Sequence, residues 1–478
     1  MAAIEEMTKQ HQVRGRLPVV ITVPADLITP VRAFCALTRP GDDAFLLESV
    51  VGGETQARYS FLGFEAREVF EAGRTARVRR GDDVTALAGD PRLALARWVA
   101  SFTAPAEALP APFLGGAVGS IDFSAFALTE SVLEPAFPAA REARMVFGLF
   151  ATGLVLDHMR QEALLYRFPG SGESDADART RLMALAERLH GPVELPDERT
   201  RCTLDERPNR ARFAANVAAV QAAIAAGDAY QIVVSEPFAG SFSGDPFTVY
   251  RRLRRLNPSP YHFFISLAGR QVVGASPEML VRVEGRRVST VPIAGTRPRG
   301  ATAAEDQVLE QELRHDGKEL AEHAMLVDLA RNDLGRVCRP GSVTVPVRGV
   351  IERFSHVMHM TSEVEGELAS GHSALDAVWS TLPAGTVSGA PKIRAVEILS
   401  RLEGADRGVY GGAAGILAAS GNVELCIAIR TLEFAAGRVR FGAGAGIVAD
   451  SREPAEWQEI HAKAQALLEA LGAAGERS

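Results

Sequence analysis

The chain has 478 residues, of which 47% are hydrophobic and 23% are charged, and its formal net charge is -7. This composition is that of an ordinary globular protein with a large core, and it excludes a chain that is mainly disordered. No run of lysine and arginine stands apart from acidic neighbours, so the sequence predicts no nucleic-acid partner. We therefore expect a small-molecule ligand.

Cysteine usage and hydropathy indicate the compartment. The four cysteines are scattered and form no CxxC pair, which argues against a disulfide framework and against a zinc site. The first residues contain no apolar signal segment, and no window approaches the ~18 apolar residues of a membrane span. These features predict a cytoplasmic protein that does not contact a membrane.

Two halves are predicted along the chain. Residues 17–168 alternate short apolar runs with turn residues, a pattern typical of strands. Residues 169–208 are polar, with glycine, proline and many charged side chains, and this composition predicts a linker or loop. Residues 209–472 form the second half.

The second half contains clear helical periodicity. Apolar residues recur at helical spacing from Phe213 to Ile224, Gly227 supplies a stop, and a strand follows from Gln231. Farther along, the pattern predicts two consecutive helices that break near Gly317 and end at Gly335. A last helix begins at Pro454 and buries a stripe of apolar residues, which separates its acidic residues onto a neighbouring face.

Two of these helices carry paired carboxylates. The run KELAEH places Glu319 and Glu322 three residues apart, and the run EWQEIHAK does the same for Glu456 and Glu459. Residues at this spacing share one helix face, and such pairs are commonly solvated surface groups. If the two helices face each other, their oxygens and a ligand carboxylate form a hard site suited to Mg²⁺.

Other stretches suggest an anion site. The runs FGAGAGIVADS and GTVSGAPK lack the spacing of dinucleotide and Walker loops, so each either exposes amides to an anion or is a tight turn.

Three single residues are further candidates. Arg430 is either a partner for a substrate carboxylate or a surface arginine at a strand end. His359 is either catalytic or packed, and Glu278 is a general acid if burial raises its pKa.

Taken together, these stretches resemble the chorismate-utilising enzymes, and most closely the large components of the anthranilate synthases. The resemblance covers almost the whole chain and is densest from 227 to 463. It is carried by the ordered set NPSPY, GASPEML, PIAGTRPRG, KELAEHAMLVDLARNDLGRV, SHVMH, LPAGTVSGAPKIRA, YGGAAG, CIAIRT and GAGAGIVADS.

The resemblance implies a fold and a division of labour. The expected fold is α+β, with a four-layer α/β/β/α core in which two mixed sheets pack orthogonally. Residues 17–168 would form an N-terminal domain with a regulatory pocket. Residues 209–472 would form the chorismate-binding catalytic domain.

The resemblance also implies roles for individual residues. Glu322 and Glu459 would be the principal Mg²⁺ ligands, and Glu319 and Glu456 would support them. Glu278 would protonate the departing C4 hydroxyl of chorismate. The remaining site residues would act in the later step or orient the substrate; they are His359 and Gln231 for catalysis, Thr296 for both roles, and Gly295, Tyr410, Arg430, Gly444, Ala445, Gly446 and Lys463 for substrate binding.

Two positions predict which nucleophile reacts. Aminodeoxychorismate synthases, which belong to the same family, typically carry a lysine in place of Ala294, and that lysine is thought to attack ring carbon C2. Isochorismate and salicylate synthases carry a lysine base in place of Gln231. Alanine cannot attack, and a glutamine amide cannot accept the proton. The sequence therefore predicts that ammonia adds at C2, and that the products are anthranilate and pyruvate.

The resemblance implies a partner and an inhibitor. No cysteine lies in a glycine-flanked nucleophile turn, so a separate glutamine amidotransferase subunit would supply the ammonia. LLES and NPSPY match a tryptophan pocket that would include Ser49, Pro260, Tyr261 and His262, where His262 replaces the usual methionine.

Three alternatives remain open at this stage. The first is a synthase that stops at 2-amino-2-deoxyisochorismate. The second is an aminodeoxychorismate synthase component. The third is a non-catalytic partner that senses tryptophan.

Overall fold

The computed structural model of the protein describes residues 17–49, 58–137, 145–353, 357–404 and 406–473. Its α-helices are α1 Pro30–Leu37, α2 Pro91–Ala100, α3 Asp175–His190, α4 Arg210–Ala225, α5 Pro246–Leu256, α6 Ala303–His315, α7 Gly317–Gly335, α8 Ala374–Thr381, α9 Lys392–Glu403 and α10 Glu453–Leu471. Short 3-10 turns span Ala106–Ala108, Phe123–Leu128, Ser131–Ala136 and Gly385–Val387.

The strands of the first half are β1 Val19–Pro24, β2 Ala44–Glu48, β3 Tyr59–Phe64, β4 Glu68–Ala72, β5 Ala76–Arg80, β6 Asp83–Leu87, β7 Gly116–Ile121, β8 Met145–Phe150, β9 Thr152–Asp157 and β10 Glu162–Arg167. Those that follow are β11 Arg201–Glu206, β12 Gln231–Ser243, β13 Tyr261–Leu267, β14 Arg270–Ser276, β15 Met279–Glu284, β16 Arg287–Thr290, β17 Ile293–Pro298, β18 Thr344–Arg353, β19 Val357–Glu367, β20 Gly389–Ala390, β21 Ala413–Ala418, β22 Val423–Ile427, β23 Thr431–Ala435 and β24 Arg438–Ile447.

The strands form two twelve-stranded sheets. The first sheet runs β1-β10-β9-β3-β2-β13-β14-β23-β24-β12-β11, with β20 beside β12, and the second runs β17-β19-β16-β15-β22-β21-β7-β8-β4-β5-β6, with β18 beside β19. The expectation of mixed sheets was wrong, since the strand pairs described are antiparallel. Many neighbours are joined by short turns, and such connections pair strands antiparallel.

Three hydrophobic cores define the layers. One lies between the first sheet and its helices and includes Phe213 and Ile460. Another lies between the second sheet and helices α2, α7 and α8, where Trp98 and Val378 are buried. Residues from both sheets meet in the third core. The order helix, sheet, sheet, helix confirms the predicted four-layer α/β/β/α fold, whereas the orthogonal angle between the sheets stays a prediction.

The helices predicted from apolar periodicity are confirmed. The three predicted helical regions are α4, the pair α6 and α7, and α10, and the break at Gly317 is where α7 begins. The prediction of a loop throughout 169–208 was wrong, because this segment contains helix α3 and strand β11. Ser174 and Asp177 form a capping box, and Ala178, Leu182 and Leu189 are buried, so α3 has both a start signal and an apolar stripe.

Both sheets take strands from each side of the predicted boundary at 169–208. The division into two functional domains stays a prediction. Among the residues that the structure describes, no helix is long and apolar enough to span a membrane.

Two neighbouring crossovers carry the chain between the sheets. The chain passes from β14 to β15 through Glu278, and returns from β22 to β23 through Arg430. The crossovers are hydrogen-bonded to each other, because the Ile427 amide donates to the Glu278 carbonyl at 3.0 Å and the Ala275 amide donates to the Arg430 carbonyl at 3.2 Å. This pairing brings Glu278 and Arg430, two predicted site residues, onto adjacent segments.

Candidate active site

Gln231 links the glycine-rich strand to helix α7. Its Nε2 donates a hydrogen bond to Glu322 Oε1 at 3.0 Å. Gly446 lies under the same amide, because a Cβ at this position would be only 2.5 Å from Gln231 Nε2. Glycine is therefore needed here for close approach. The contact places three predicted site residues from β12, β24 and α7 together.

Tyr410 approaches the same face of β24 two residues earlier, at Gly444, and Lys463 binds the backbone there. Lys463 Nζ donates to the Gly444 carbonyl at 2.9 Å and forms an ion pair with Glu459 Oε1 at 2.6 Å. A Cβ at Gly444 would lie 2.7 Å from the Tyr410 hydroxyl. Burial raises the pKa of Tyr410 to about 12, so its hydroxyl remains a hydrogen-bond donor at neutral pH. Ala445, between the two glycines, is fully buried.

Helix α7 acts electrostatically on a predicted metal ligand of α10. Glu456 is buried, and burial raises its pKa, with Glu459 also raising it and Lys318 of α7 lowering it. Lys318 therefore lies near enough to act on α10. Glu319 accepts from Arg297 Nη1 at 3.2 Å. Within the described ranges, no three acidic, histidine or cysteine side chains stand in a ready metal-binding cluster.

The donor chemistry of these acids still fits a hard cation. All four are carboxylates, which are oxygen ligands of the kind Mg²⁺ prefers. Three of them have cationic or amide partners at present, namely Arg297 for Glu319, Gln231 for Glu322 and Lys463 for Glu459. A bound cation would replace these contacts with its own, because Arg297, Gln231 and Lys463 all contact the carboxylate oxygens that would bind it.

A backbone bulge presents His359. Strands β17 and β19 pair with an irregularity between Ala294 and Thr296, and the residue between them, Gly295, has a left-handed φ of 69°. His359 Nδ1 lies 3.2 Å from the Gly295 carbonyl. A carbonyl only accepts, so Nδ1 carries the proton and Nε2 keeps its lone pair. Burial lowers the pKa of His359 to about 4, so the ring is neutral at pH 7.

Gly295, which follows Ala294 in β17, lies beside Glu319 of α7. Ala294 is buried within β17. A Cβ at Gly295 would be 3.2 Å from Glu319 Oε2, so strand β17 passes directly over that carboxylate. Thr296 pairs through its backbone with His359, but the position of its side chain lies outside what the structure describes. Its predicted roles stay predictions.

Glu278 is a buried acid held by a hydroxyl. Burial raises its pKa to about 8, although the Thr386 hydroxyl, Lys463 and the Ile293 backbone act in the opposite direction. Thr386 Oγ1 lies 3.1 Å and 3.2 Å from the two carboxyl oxygens. Desolvation disfavours the charged carboxylate, so Glu278 is largely protonated at pH 7. The sequence predicted a general acid here if burial raised the pKa of Glu278, and burial does raise it.

Arg430 is held in place by a residue of the NPSPY motif. Its Nη1 donates to Asn257 Oδ1 at 3.0 Å, and its φ of 50° is unusual for a residue with a Cβ. The residue is half-buried, and burial lowers the pKa of its guanidinium. Its role as a partner for a substrate carboxylate stays a prediction.

Sequence reasoning missed two residues that organise the site. Thr386, which contacts Glu278, lies in the GTVSGAPK run, whose composition signals a turn but not a hydroxyl aimed at an acid. Arg407 lies over the ring of Phe123, 4.5 Å from its centroid, and donates to the Val233 carbonyl of β12 at 2.7 Å. Arg407 also pairs with Glu403, four residues earlier, but no sequence pattern marked its contacts with Phe123 and Val233, which are distant along the chain.

The four predicted inhibitor residues line one cavity. It has a volume of about 430 Å³ and lies between the sheets, and its lining includes Ser49, Pro260, Tyr261 and His262. The His262 ring packs edge-on against Tyr250 of α5, and the Ser259 amide donates to its Nε2 at 3.1 Å. The histidine that replaces methionine thus borders the cavity while its ring engages the helix behind β13.

The fold and this site define a chorismate-binding enzyme. Residues 45–469 match the family of chorismate binding enzymes, and the chain belongs to that family.

Several relatives are similar over nearly their full length. Anthranilate synthase component 1 of Streptomyces coelicolor is 43% identical, over 98% of this chain and 91% of that protein, and the same component of Thermus thermophilus is 42% identical, over 94% and 96%. The crystal structure of anthranilate synthase component I from Streptococcus pneumoniae superposes with a TM-score of 0.78 at 33% identity, over 93% of this chain and 98% of that one. The menaquinone-specific isochorismate synthase of Escherichia coli, at 20% identity, shares the fold with a TM-score of 0.72.

The raised pKa of Glu278 predicts a pH-dependent stability. Between about pH 4.5 and pH 8 the unfolded state has released the Glu278 proton and the native state has not, so this group's contribution to native stability falls as the pH rises. Each tenfold change in proton affinity corresponds to about 1.4 kcal/mol. We expect Glu278→Gln to gain stability relative to the wild type between pH 4 and pH 9, by a few kcal/mol.

Urea unfolding at a series of pH values measures this difference. Glu469→Gln, at an exposed position of α10, is the matched control and should leave the pH profile unchanged. Parallel profiles for Glu278→Gln and the wild type would contradict the burial of a neutral carboxyl.

Proposed function

We propose that this protein converts chorismate and ammonia to anthranilate and pyruvate, in tryptophan biosynthesis or a related pathway. The observation that carries the proposal is the pair of non-basic residues at two decisive places. Ala294 offers no nucleophile, and the Gln231 amide is committed to Glu322. The relatives named anthranilate synthase component 1 support the same activity.

The first step adds nitrogen to the ring. Ammonia forms a bond to C2, the ring double bonds shift, and the bond from C4 to its hydroxyl breaks with its electron pair on oxygen. The neutral carboxyl of Glu278 supplies the proton with which this oxygen leaves as water. Thr386 keeps the carboxyl in place through the contacts of 3.1 Å and 3.2 Å.

The second step restores aromaticity. The C2 proton and the enolpyruvyl group leave together, which gives anthranilate and pyruvate. His359 would assist this step, and its neutral ring and the anchoring of its Nδ1–H on the Gly295 carbonyl support the proposal. A neutral imidazole can accept a proton at Nε2.

Substrate orientation falls to the residues around β24. The two carboxylates of chorismate would be bound by Arg430, Lys463, the Tyr410 hydroxyl and the amides of Gly444 to Gly446, with help from Gly295 and Thr296. Charge-assisted hydrogen bonds of this kind are directional, so they hold C2 and C4 in register with the acid and the base.

Mg²⁺ is the proposed cofactor, held mainly by Glu322 and Glu459, with Glu319 and Glu456 in support. When bound, it would neutralise the ring carboxylate of the substrate. Lys463 and Gln231, which now contact two of these acids, would then be available to the substrate.

The nitrogen source is proposed to be a separate glutamine amidotransferase subunit, and the compartment the cytoplasm. Cys338 and Cys426 are buried, and Cys35 and Cys202 are half-buried, so none of them is presented as a glutaminase nucleophile. The chain alone should therefore use ammonium salts but not glutamine.

Incubation with chorismate, Mg²⁺ and ammonium chloride tests the activity. We expect anthranilate fluorescence and equimolar pyruvate, and no product when glutamine replaces ammonium. Mass spectrometry of the products separates the alternatives. A product that retains the enolpyruvyl group would identify a 2-amino-2-deoxyisochorismate or an aminodeoxychorismate synthase, and absence of any product would favour a non-catalytic protein.

Glu459→Ala tests the metal assignment. We expect turnover to fall by at least ~100-fold, the scale on which loss of one charge-stabilising contact slows an enzyme. Isothermal titration of Mg²⁺ in the presence of chorismate should show the corresponding loss of binding. Glu469→Ala, on the same helix and exposed, serves as the control. Unchanged activity and Mg²⁺ affinity in Glu459→Ala would refute the assignment.

The cavity of about 430 Å³ is proposed to bind tryptophan as a feedback inhibitor. Its size is that of a small-molecule pocket. Calorimetry should detect saturable binding of L-tryptophan and none of L-leucine, and Ser49→Phe should abolish binding by filling the cavity. Equal affinity for tryptophan in Ser49→Phe and the wild type would place the inhibitor elsewhere.

A further inference from the structure

Lys392 and Asp333 form a buried ion pair that the proposed reaction does not use. The distance from Lys392 Nζ to Asp333 Oδ2 is 2.7 Å, and the two side chains are 7% and 11% exposed. The ammonium group also donates to the Thr381 carbonyl at 3.2 Å. Burying two charges costs free energy that a well-packed apolar pair would not, so the pair calls for an explanation other than stability.

A small cavity joins this ion pair to the proposed general acid. Its volume is about 40 Å³, and both Asp333 and Glu278 lie in its wall. That volume holds on the order of two water molecules. Thr290, Thr381 and Thr386 also line it, and although the first two hydroxyls donate to backbone carbonyls, a hydroxyl oxygen can still accept a hydrogen bond from water. The cavity therefore has both the room and the polar partners that a short water chain needs.

We propose that Asp333 and Lys392 are positioning residues that return a proton to Glu278 through water in this cavity after each turnover. The inference rests on the proposed role of Glu278 as the general acid. It gives a function to the ion pair and to the cavity, and it provides Glu278 with a proton source.

The proton balance of the cycle is closed. Glu278 loses its proton to the C4 oxygen, which leaves as water. The Lys392 ammonium passes one proton to Asp333, which passes one through the water chain to the Glu278 carboxylate. Lys392 then recovers a proton from solvent, and the nitrogen that added at C2 releases one to solvent. No net proton is consumed, in agreement with the overall conversion of chorismate and ammonia to anthranilate, pyruvate and water.

The electrostatics favour the last transfer, from Asp333 to Glu278, because the pKa of Glu278 is the higher of the two. Burial raises the pKa of Glu278 to about 8 and that of Asp333 to about 6, and burial lowers the pKa of Lys392. Lys463 is the charged group that acts on Glu278, and Arg336 acts on both members of the ion pair.

The ion pair also has a connection toward solvent. Glu130 acts electrostatically on Lys392, and it is paired with Arg336 at 3.1 Å. The Arg336 side chain is 52% exposed. Glu130 and Arg336 are therefore the charged groups near the Lys392 end of the ion pair, and the exposed Arg336 places that end close to solvent.

Asp333→Asn tests the relay because an amide keeps the shape of the side chain and cannot shuttle a proton. With the free ammonia concentration held constant, we expect kcat to fall about tenfold, a part of the rate that acid–base catalysis supplies. The KM for chorismate should not change. The alkaline limb of the kcat profile should shift to lower pH, and the solvent deuterium isotope effect on kcat should increase.

Two further variants keep this test decisive. Asp122→Asn removes one member of another buried ion pair, Asp122–Arg270 at 2.8 Å, which does not line the cavity, and it should leave the pH profile and the isotope effect unchanged. If Asp333→Asn fails to fold because it leaves Lys392 unpaired, the double variant Asp333→Asn/Lys392→Met removes both charges and carries the same expectation.

The outcomes separate the relay from the proposed function. If the wild type forms no anthranilate, the function itself is wrong. If the wild type is active and a folded Asp333→Asn or double variant keeps its kcat, pH profile and isotope effect, the relay is overturned while the function stands.

Discussion

The site depends on the close approach of side chains to strand β24. Gly444 and Gly446 leave no room for a Cβ, because Tyr410 and Gln231 occupy that space at 2.7 Å and 2.5 Å. Through these contacts the strand receives Tyr410 from the segment before β21, and Gln231 from β12. Gln231 then reaches Glu322 of α7, and Lys463 of α10 binds the Gly444 carbonyl. The glycine and alanine stretch 442–446 of β24 is thus the surface on which these side chains meet.

Burial sets the protonation states that the chemistry requires. Glu278 is neutral and His359 is neutral for the same reason, since desolvation disfavours the charged form of each group. The result is a neutral carboxyl and a neutral imidazole at the same pH, which are the states that the proposed acid and base roles need. Glu278 lies on the crossover from β14 to β15 and His359 lies on β19, so the two groups are shielded from water on different elements.

Antiparallel topology explains why one site draws on so many segments. The chain leaves the first sheet at Glu278 and re-enters it at Arg430, and the hydrogen bonds between these crossovers bring together residues more than a hundred positions apart. The cavity with the predicted tryptophan residues lies between the same two sheets and is lined by the neighbouring strand β13. A ligand in that cavity would therefore contact strands that lead into the active site.

The sequence by itself determined the helices α4, α6, α7 and α10, the α+β class and, through the ordered motifs, the family. Helical periodicity and glycine stops are local signals, so they survive without a structure. It mistook 169–208 for a loop because charged residues hide the short apolar stripe of α3.

Only the tertiary structure decided that Gln231 contacts Glu322, that Thr386 holds Glu278, and that Asp333 shares a cavity with that acid. These pairs are separated by 91 and 108 residues in the first two cases. Contacts at such distances depend on strand order and on which side of a sheet each residue faces, and no local pattern encodes either. The burial that shifts the pKa values likewise arises only when both sheets and their helices have packed.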